Sequence, residues 1–191
     1  MDPLEPSPVE VCLTLLLQKT VANPYYKRYI NGLELQGNER ILDFGTGAGV
    51  CARHLAARLR KAGGHLTCLD ISRVWQAVSR KTLKHYHNVD YLLGDITTLN
   101  LPAASFDAVF IHAVLHDLDV SARPEILRHL ARILVDGGKM FVCEPLGVKG
   151  FSPDDLRGLM RQNGLEEIDA RIIRRALMAP TYQGVFRKKA G

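Results

Sequence analysis

Arg40-Ile41-Leu42-Asp43-Phe44-Gly45-Thr46-Gly47-Ala48-Gly49 decides how this chain is read. Its first half is a short apolar run that ends in an acid, the pattern of a strand buried on both faces. Its second half is a glycine-rich turn, where missing side chains let the backbone bend sharply and let a ligand approach it. Residues 50–62 then carry Val50, Ala52, Leu55, Ala56 and Leu59 on one helical face, and Gly63-Gly64 predicts the stop.

The same alternation continues downstream. His65–Leu69 reads as a strand ending at Asp70, and Val74, Ala77, Val78 and Lys81 follow at helical spacing. Val89–Leu93 and Phe106–Ala113 are the next strands. Asp119 or Ser121 is expected to cap a helix carrying Ile126, Leu127, Leu130, Ile133 and Leu134, stopped by Asp136-Gly137-Gly138. Lys139–Cys143 is a fifth strand, and Ser152-Pro153 opens a helix with serine as cap and proline at the first position. Two strands, about 167–177 and 182–187, close the chain. Upstream, residues 2–8 are expected to be loose, and Val9, Cys12, Leu13, Leu16 and Leu17 predict a helix that stops before Asn23-Pro24. Strands alternating with helices predict an α/β fold: a seven-stranded, mostly parallel sheet with helices on both faces and an antiparallel final strand. One domain is expected, with residues 1–37 as an N-terminal helical segment and 38–191 as the core.

Bulk properties exclude little but agree with this. The 191 residues carry a net charge of +5 and an ordinary apolar fraction, which excludes disordered and fibrous classes. Cys12, Cys51, Cys68 and Cys143 show no metal-ligand spacing, and the last three sit in apolar runs as expected core thiols. The apolar run from Val11 to Leu17 is too short to span a bilayer. A cytoplasmic protein with no membrane partner is the expectation.

In open α/β sheets, ligands bind beyond the C-terminal strand ends, so the acids placed there carry the chemistry. A glycine-rich turn followed by Asp70 at the end of the next strand suits an adenosine, whose ribose hydroxyls the carboxylate would accept. A lone GxGxG is weak, and a tight turn would explain it equally well. Asp43 separates the candidate adenosine ligands. A pyrophosphate would meet like charge there, and Val50 stands where a dinucleotide fingerprint places its last glycine. A ligand carrying an ammonium and a sulfonium would be attracted. S-adenosyl-L-methionine is therefore favoured over a nicotinamide dinucleotide.

ILDFGTGAGV resembles the first motif of class I S-adenosylmethionine-dependent methyltransferases, and Asp70 in LDIS matches the acid of their second. Gly94-Asp95-Ile96, SFDAVFIHAVLHDL and ILVDGGKMFVCEP resemble the segments that follow, most closely those of ubiquinone-biosynthesis-type enzymes. The resemblance covers about residues 38–146. It implies that Asp43, Gly45, Thr46 and Gly47 hold the methionine end of the cofactor and that Asp70 holds the ribose. Asp95 would read the adenine, with Ile71 and Ile96 flanking the base and His112 close by.

For the acceptor, the resemblance implies a small molecule. His112 and His116 stand at the end of the fourth strand, where either could serve as base or orienting donor, or simply bond a loop. Together with Asp117 they have metal-ligand types, but a strand-and-turn setting does not align them, and no metal is expected. The stretch Leu146–Phe151 is too short for a lid. The site is then open, covered by the N-terminal segment with Tyr25, Tyr26 and Tyr29, or closed by a second copy in a homo-oligomer. Three other readings stand beside this one: an RNA or protein methyltransferase, suggested by the basic residues Arg171, Arg174, Arg175, Arg187, Lys188 and Lys189; a protein that binds the cofactor without turnover; and a dinucleotide oxidoreductase. Nucleic acid is not favoured, since charge on a sheet edge also guards against mispairing.

Overall fold

The computed structural model describes residues 5–20, 23–148, 151–175 and 178–190. The chain divides into two compact units, Met1–Asp95 and Ile96–Gly191. The first holds α1 (Pro8–Thr20), α2 (Asn23–Asn31), β1 (Arg40–Phe44), α3 (Val50–Leu59), β2 (His65–Asp70), α4 (Arg73–Thr82) and β3 (Val89–Leu93). Its strands run parallel in the order β3-β2-β1. Ile41, Leu42 and Leu66 are fully buried, so the strands read as apolar runs rather than alternations. Ala52, Leu55, Ala56 and Leu59 of α3 are buried too, the i, i+3, i+4, i+7 stripe of a helix with one face inward.

The second unit holds β4 (Phe106–His112), α5 (Arg123–Ile133), β5 (Leu134–Pro145), α6 (Pro153–Gln162), β6 (Leu165–Arg175) and β7 (Met178–Lys188). β4 and β5 are parallel, and β7 runs antiparallel between β5 and β6. Val109, Phe110 and Ile111 of β4 and Met140, Phe141, Val142 and Cys143 of β5 form the core with Ile126, Leu127, Leu130 and Ile133 of α5. Among the described residues the seven strands are interleaved with helices except between β3 and β4 and in the closing antiparallel hairpin of β6 and β7, the mostly parallel α/β class that the sequence predicts.

Several boundaries differ, each for a local reason. Asn23-Pro24 does not merely stop a helix: it opens α2, since proline suits a first helical turn whose N–H groups lack partners anyway. Neither Asp119 nor Ser121 caps α5. The Asp119 carboxylate accepts from Ser121 N (2.8 Å) and Ser121 Oγ (2.7 Å), and α5 starts at Arg123-Pro124 with no side-chain cap. That helix ends before Asp136-Gly137-Gly138, because Leu134 is already extended (φ −71°, ψ 139°) and pairs with Phe106. Cys51 is only half-buried, unlike Cys68 and Cys143. Part of the segment expected to be loose is fixed. The Glu5 carboxylate accepts from Ser72 Oγ (2.6 Å), Arg73 N (2.9 Å) and Val74 N (3.2 Å), satisfying donors that the start of α4 leaves open. Residues 2–4 lie outside the described residues, as do 176–177 at the expected end of the sixth strand.

Two glycines give opposite expectations. A Cβ on Gly64 would stand 2.5 Å from the Gly37 carbonyl and 2.8 Å from that of Glu39. Gly64→Ala should cost about 2 kcal/mol through backbone displacement. Gly158, in the middle of α6, has nothing within 4 Å of such a Cβ. Gly158→Ala should add about 0.5–1 kcal/mol. Urea denaturation of both variants checks the pair, and equal effects would contradict it.

Candidate functional site

Strand register sets the acids of the first unit. Asp43 lies opposite Cys68 and Asp70 opposite Leu93, so both stand at the C-terminal ends of buried strands. Between them runs the glycine turn. Gly45, Gly47 and Gly49 have φ of 73°, 55° and 79°, values in the left-handed region where only glycine is free of Cβ strain. The N–H groups of Gly45 (2.9 Å) and Thr46 (3.1 Å) donate to the Leu69 carbonyl, and Gly49 N donates to Thr46 O (3.1 Å). Nothing lies within 4 Å of a Cβ built on Gly47, so the turn keeps an open surface there.

Asp43 is 3% exposed. Its Oδ2 is buried without a hydrogen-bond partner among the described residues. Burial therefore pushes its pKa from 3.8 up to about 7; the Thr46 hydroxyl opposes the shift and the Asp70 charge adds to it. A buried acceptor without a donor is costly, and an ammonium would relieve that cost. Asp70 is also raised, chiefly by burial. Its Oδ2 accepts from Gly47 N at 2.7 Å and its Oδ1 from Ser72 N at 2.9 Å. Each oxygen keeps a further lone pair, so the carboxylate can hold the turn and still receive two hydroxyls. Asp95 is half-buried. Ile71 is 48% exposed and offers apolar surface, whereas Ile96 is 2% exposed and packs in the core. Tyr29 is buried, with the Tyr25 ring stacked at 6.3 Å.

The second unit holds both histidines. His112 ends β4, half-buried with its ring 6.3 Å from that of Phe110. Burial lowers its pKa, against an opposing pull from Glu144. Ala113 follows at φ 55°, an uncommon conformation for a residue with a Cβ. That turn sends the N–H groups of Val114 and Leu115 to Glu144 Oε1 at 2.8 and 2.9 Å. His116 Nδ1 lies 2.7 Å from Glu144 Oε2, and its Nε2 lies 3.4 Å from Asp117 Oδ2. No group of three or more His, Cys, Asp or Glu among the described residues is arranged to hold a metal. Sequence reasoning missed Glu144, although the signal existed: like Asp43 and Asp70, it is an acid ending a buried strand.

Residues 41–138 match the family described as Methyltransferase domain. The demethylmenaquinone methyltransferase of Clavibacter sepedonicus is 36% identical over 106 residues, 56% of this chain and 41% of that protein. The chain thus spans under half the length of that curated relative. Two solved structures share the fold. The TehB-like SAM-dependent methyltransferase from Corynebacterium glutamicum has a TM-score of 0.75 at 19% identity, covering 96% of this chain and 100% of its own. The cyclase SpnF has a TM-score of 0.75 at 20% identity, covering 89% of this chain and 82% of its own. A fold shared by proteins so named places the chain in an architecture, not in a reaction.

Proposed function

The chain belongs to the methyltransferase domain family, and on that premise we propose that it transfers a methyl group from S-adenosyl-L-methionine to a small-molecule acceptor. The Asp43 oxygen that is buried without a hydrogen-bond partner among the described residues carries this reading. An ammonium group supplies the missing donor, and a pyrophosphate would only add repulsion. In this assignment Asp43, Gly45, Thr46 and Gly47 receive the methionine end, Asp70 the ribose, and Asp95 with Ile71 and Ile96 the adenine. His112 and His116 serve the acceptor. Residues 1–191 act as one catalytic domain, although its compact units divide near residue 95. The setting is cytoplasmic; no helix among the described residues is long and apolar enough to cross a membrane.

The cofactor, when bound, supplies an already activated methyl on its sulfonium. The chain's own contribution is to hold acceptor and methyl in line and keep water out. Similarity to a demethylmenaquinone methyltransferase makes a hydroxylated bicyclic aromatic the acceptor to try first. Calorimetry should show binding of S-adenosylmethionine and none of NAD(H), and incubation with 1,4-dihydroxynaphthalene should yield S-adenosylhomocysteine. Tight NAD(H) binding without S-adenosylmethionine binding would reverse the assignment. Cofactor binding with no turnover on any phenol or amine offered would leave a binding protein instead.

A further inference from the structure

β6 is the last strand of the sheet, with β7 on one side and, among the described residues, no strand on the other. Its outer N–H and C=O groups are a template for a further strand, and such edges are ordinarily kept short or guarded by lysine or proline. At 11 residues β6 is long, and Leu165–Arg175 contains neither lysine nor proline. Its charges have both signs and are divided along the strand. Glu166, Glu167 and Asp169 precede Ala170, whereas Arg171, Arg174 and Arg175 follow it. Asp169, Ala170 and Arg171 are all exposed, and so are Ile168 (38%) and Ile172 (49%).

We propose that the β6 edge is a homodimer interface, pairing antiparallel with β6 of a second copy about a two-fold axis at Ala170. In that register Asp169 of each copy lies opposite Arg171 of the other, so one oppositely charged cross-strand pair occurs twice. The small Ala170 side chain lies on the axis, where it meets its own counterpart. Ile168 and Ile172 flank these pairs and lose apolar surface to the contact. Neighbouring registers forfeit the match. An axis at Asp169 sets carboxylate against carboxylate, and one at Arg171 sets guanidinium against guanidinium. Arg171 can serve the second copy because only its Nε is committed, donating to Gln183 Oε1 at 2.8 Å, and the guanidinium has further N–H groups. Glu167 is held within its own chain by Arg157 Nε at 2.8 Å and by the Tyr182 hydroxyl. The ladder with β7 shifts register between Glu167 and Asp169, which ends regular pairing close to the axis on both sides. The contact is therefore short, and the dimer is a weak one that forms as concentration rises.

Sedimentation velocity of the full chain should move from monomer to dimer with a dissociation constant on the order of 10–100 µM. Asp169→Arg leaves only basic charge beside Ala170 and Arg171→Asp only acidic charge, and symmetry makes each change act twice. Each variant alone should dimerise about 100-fold more weakly than wild type. Mixed in equal amounts the two should associate with each other, because opposite charges again face across the axis. The double variant D169R/R171D should recover the wild-type dimer. Amide hydrogen exchange of wild type should slow at residues 168–172 as concentration rises, a readout that needs no variant to fold. A wild type that stays monomeric up to about 1 mM overturns the proposal. So does a dimer whose exchange at 168–172 is unchanged, or one that both single variants leave intact, since the copies then meet through another face. Single variants with wild-type circular dichroism that fail to associate when mixed overturn the register. Association is measured without cofactor or acceptor, so its outcome is independent of the methyl-transfer reading.

Discussion

Asp70→Ala should weaken S-adenosylmethionine binding by about 100-fold or more in a chain that still folds. Hydrogen bonds to a charged acceptor contribute about 1.5–3 kcal/mol each, and the proposed role gives Asp70 two ribose hydroxyls. The carboxylate has a second duty that complicates a simple affinity measurement. It holds Gly47 N at 2.7 Å and Ser72 N at 2.9 Å, so its removal also loosens the glycine turn. Ligand analogues separate the two effects. Wild type should prefer adenosine to its 3′-deoxy form by about tenfold or more, since one charge-assisted bond is lost. Asp70→Ala should bind both equally. A variant that binds weakly but keeps the preference would show that Asp70 only shapes the turn, and retained cofactor affinity would remove it from the site altogether.

How much of the site was legible follows from where each signal lies. Asp43, the glycines and Asp70 share one local pattern, an acid or a flexible turn directly after an apolar run, and strand register then brings them together. Glu144 obeys the same rule but bonds a histidine 28 residues away, and such a contact depends on the pairing of β4 with β5. Ile71 and Ile96 look equivalent in sequence, each following an acid. Their exposures of 48% and 2% differ because tertiary packing decides the face.

The fold was legible wherever apolar periodicity was strong, as in β1, α3 and α6. It failed at punctuation, where one dipeptide serves two purposes. Asn23-Pro24 reads as the stop of one helical pattern, yet Asn23 is the first residue of α2, because proline also suits the first turn of a helix. Asp136-Gly137-Gly138 looked like a helix stop, yet strand pairing takes over at Leu134, and Gly137 supplies a positive φ of 75° inside the β5 span. Glu5 was invisible because its partners Ser72, Arg73 and Val74 lie far along the chain.

Asp43→Asn should make the unliganded protein more stable at pH 8 and unable to hold the cofactor. The folded chain raises this carboxyl from 3.8 to about 7. Below about 3.8 both folded and unfolded chains are protonated, and the group is neutral with respect to stability. Between 3.8 and 7 the unfolded chain loses its proton while the folded one keeps it, so stability falls as pH rises. Above about 7 both are ionised and the penalty levels off, at most ~4 kcal/mol for a shift of that size. Asparagine removes the charge but leaves a buried amide to satisfy, which offsets part of the gain, and a net increase of about 2 kcal/mol at pH 8 is expected. At pH 5 the two proteins should be closer in stability, as urea denaturation at both pH values would show. Cofactor binding runs the opposite way: its ammonium draws Asp43 into the ionised form, so wild-type binding below pH 7 releases a proton and tightens as pH rises towards 7. Calorimetry in buffers of different ionisation enthalpy measures that release. A destabilised Asp43→Asn at pH 8, or one that binds S-adenosylmethionine as wild type does, would refute the assignment of this buried oxygen to the cofactor.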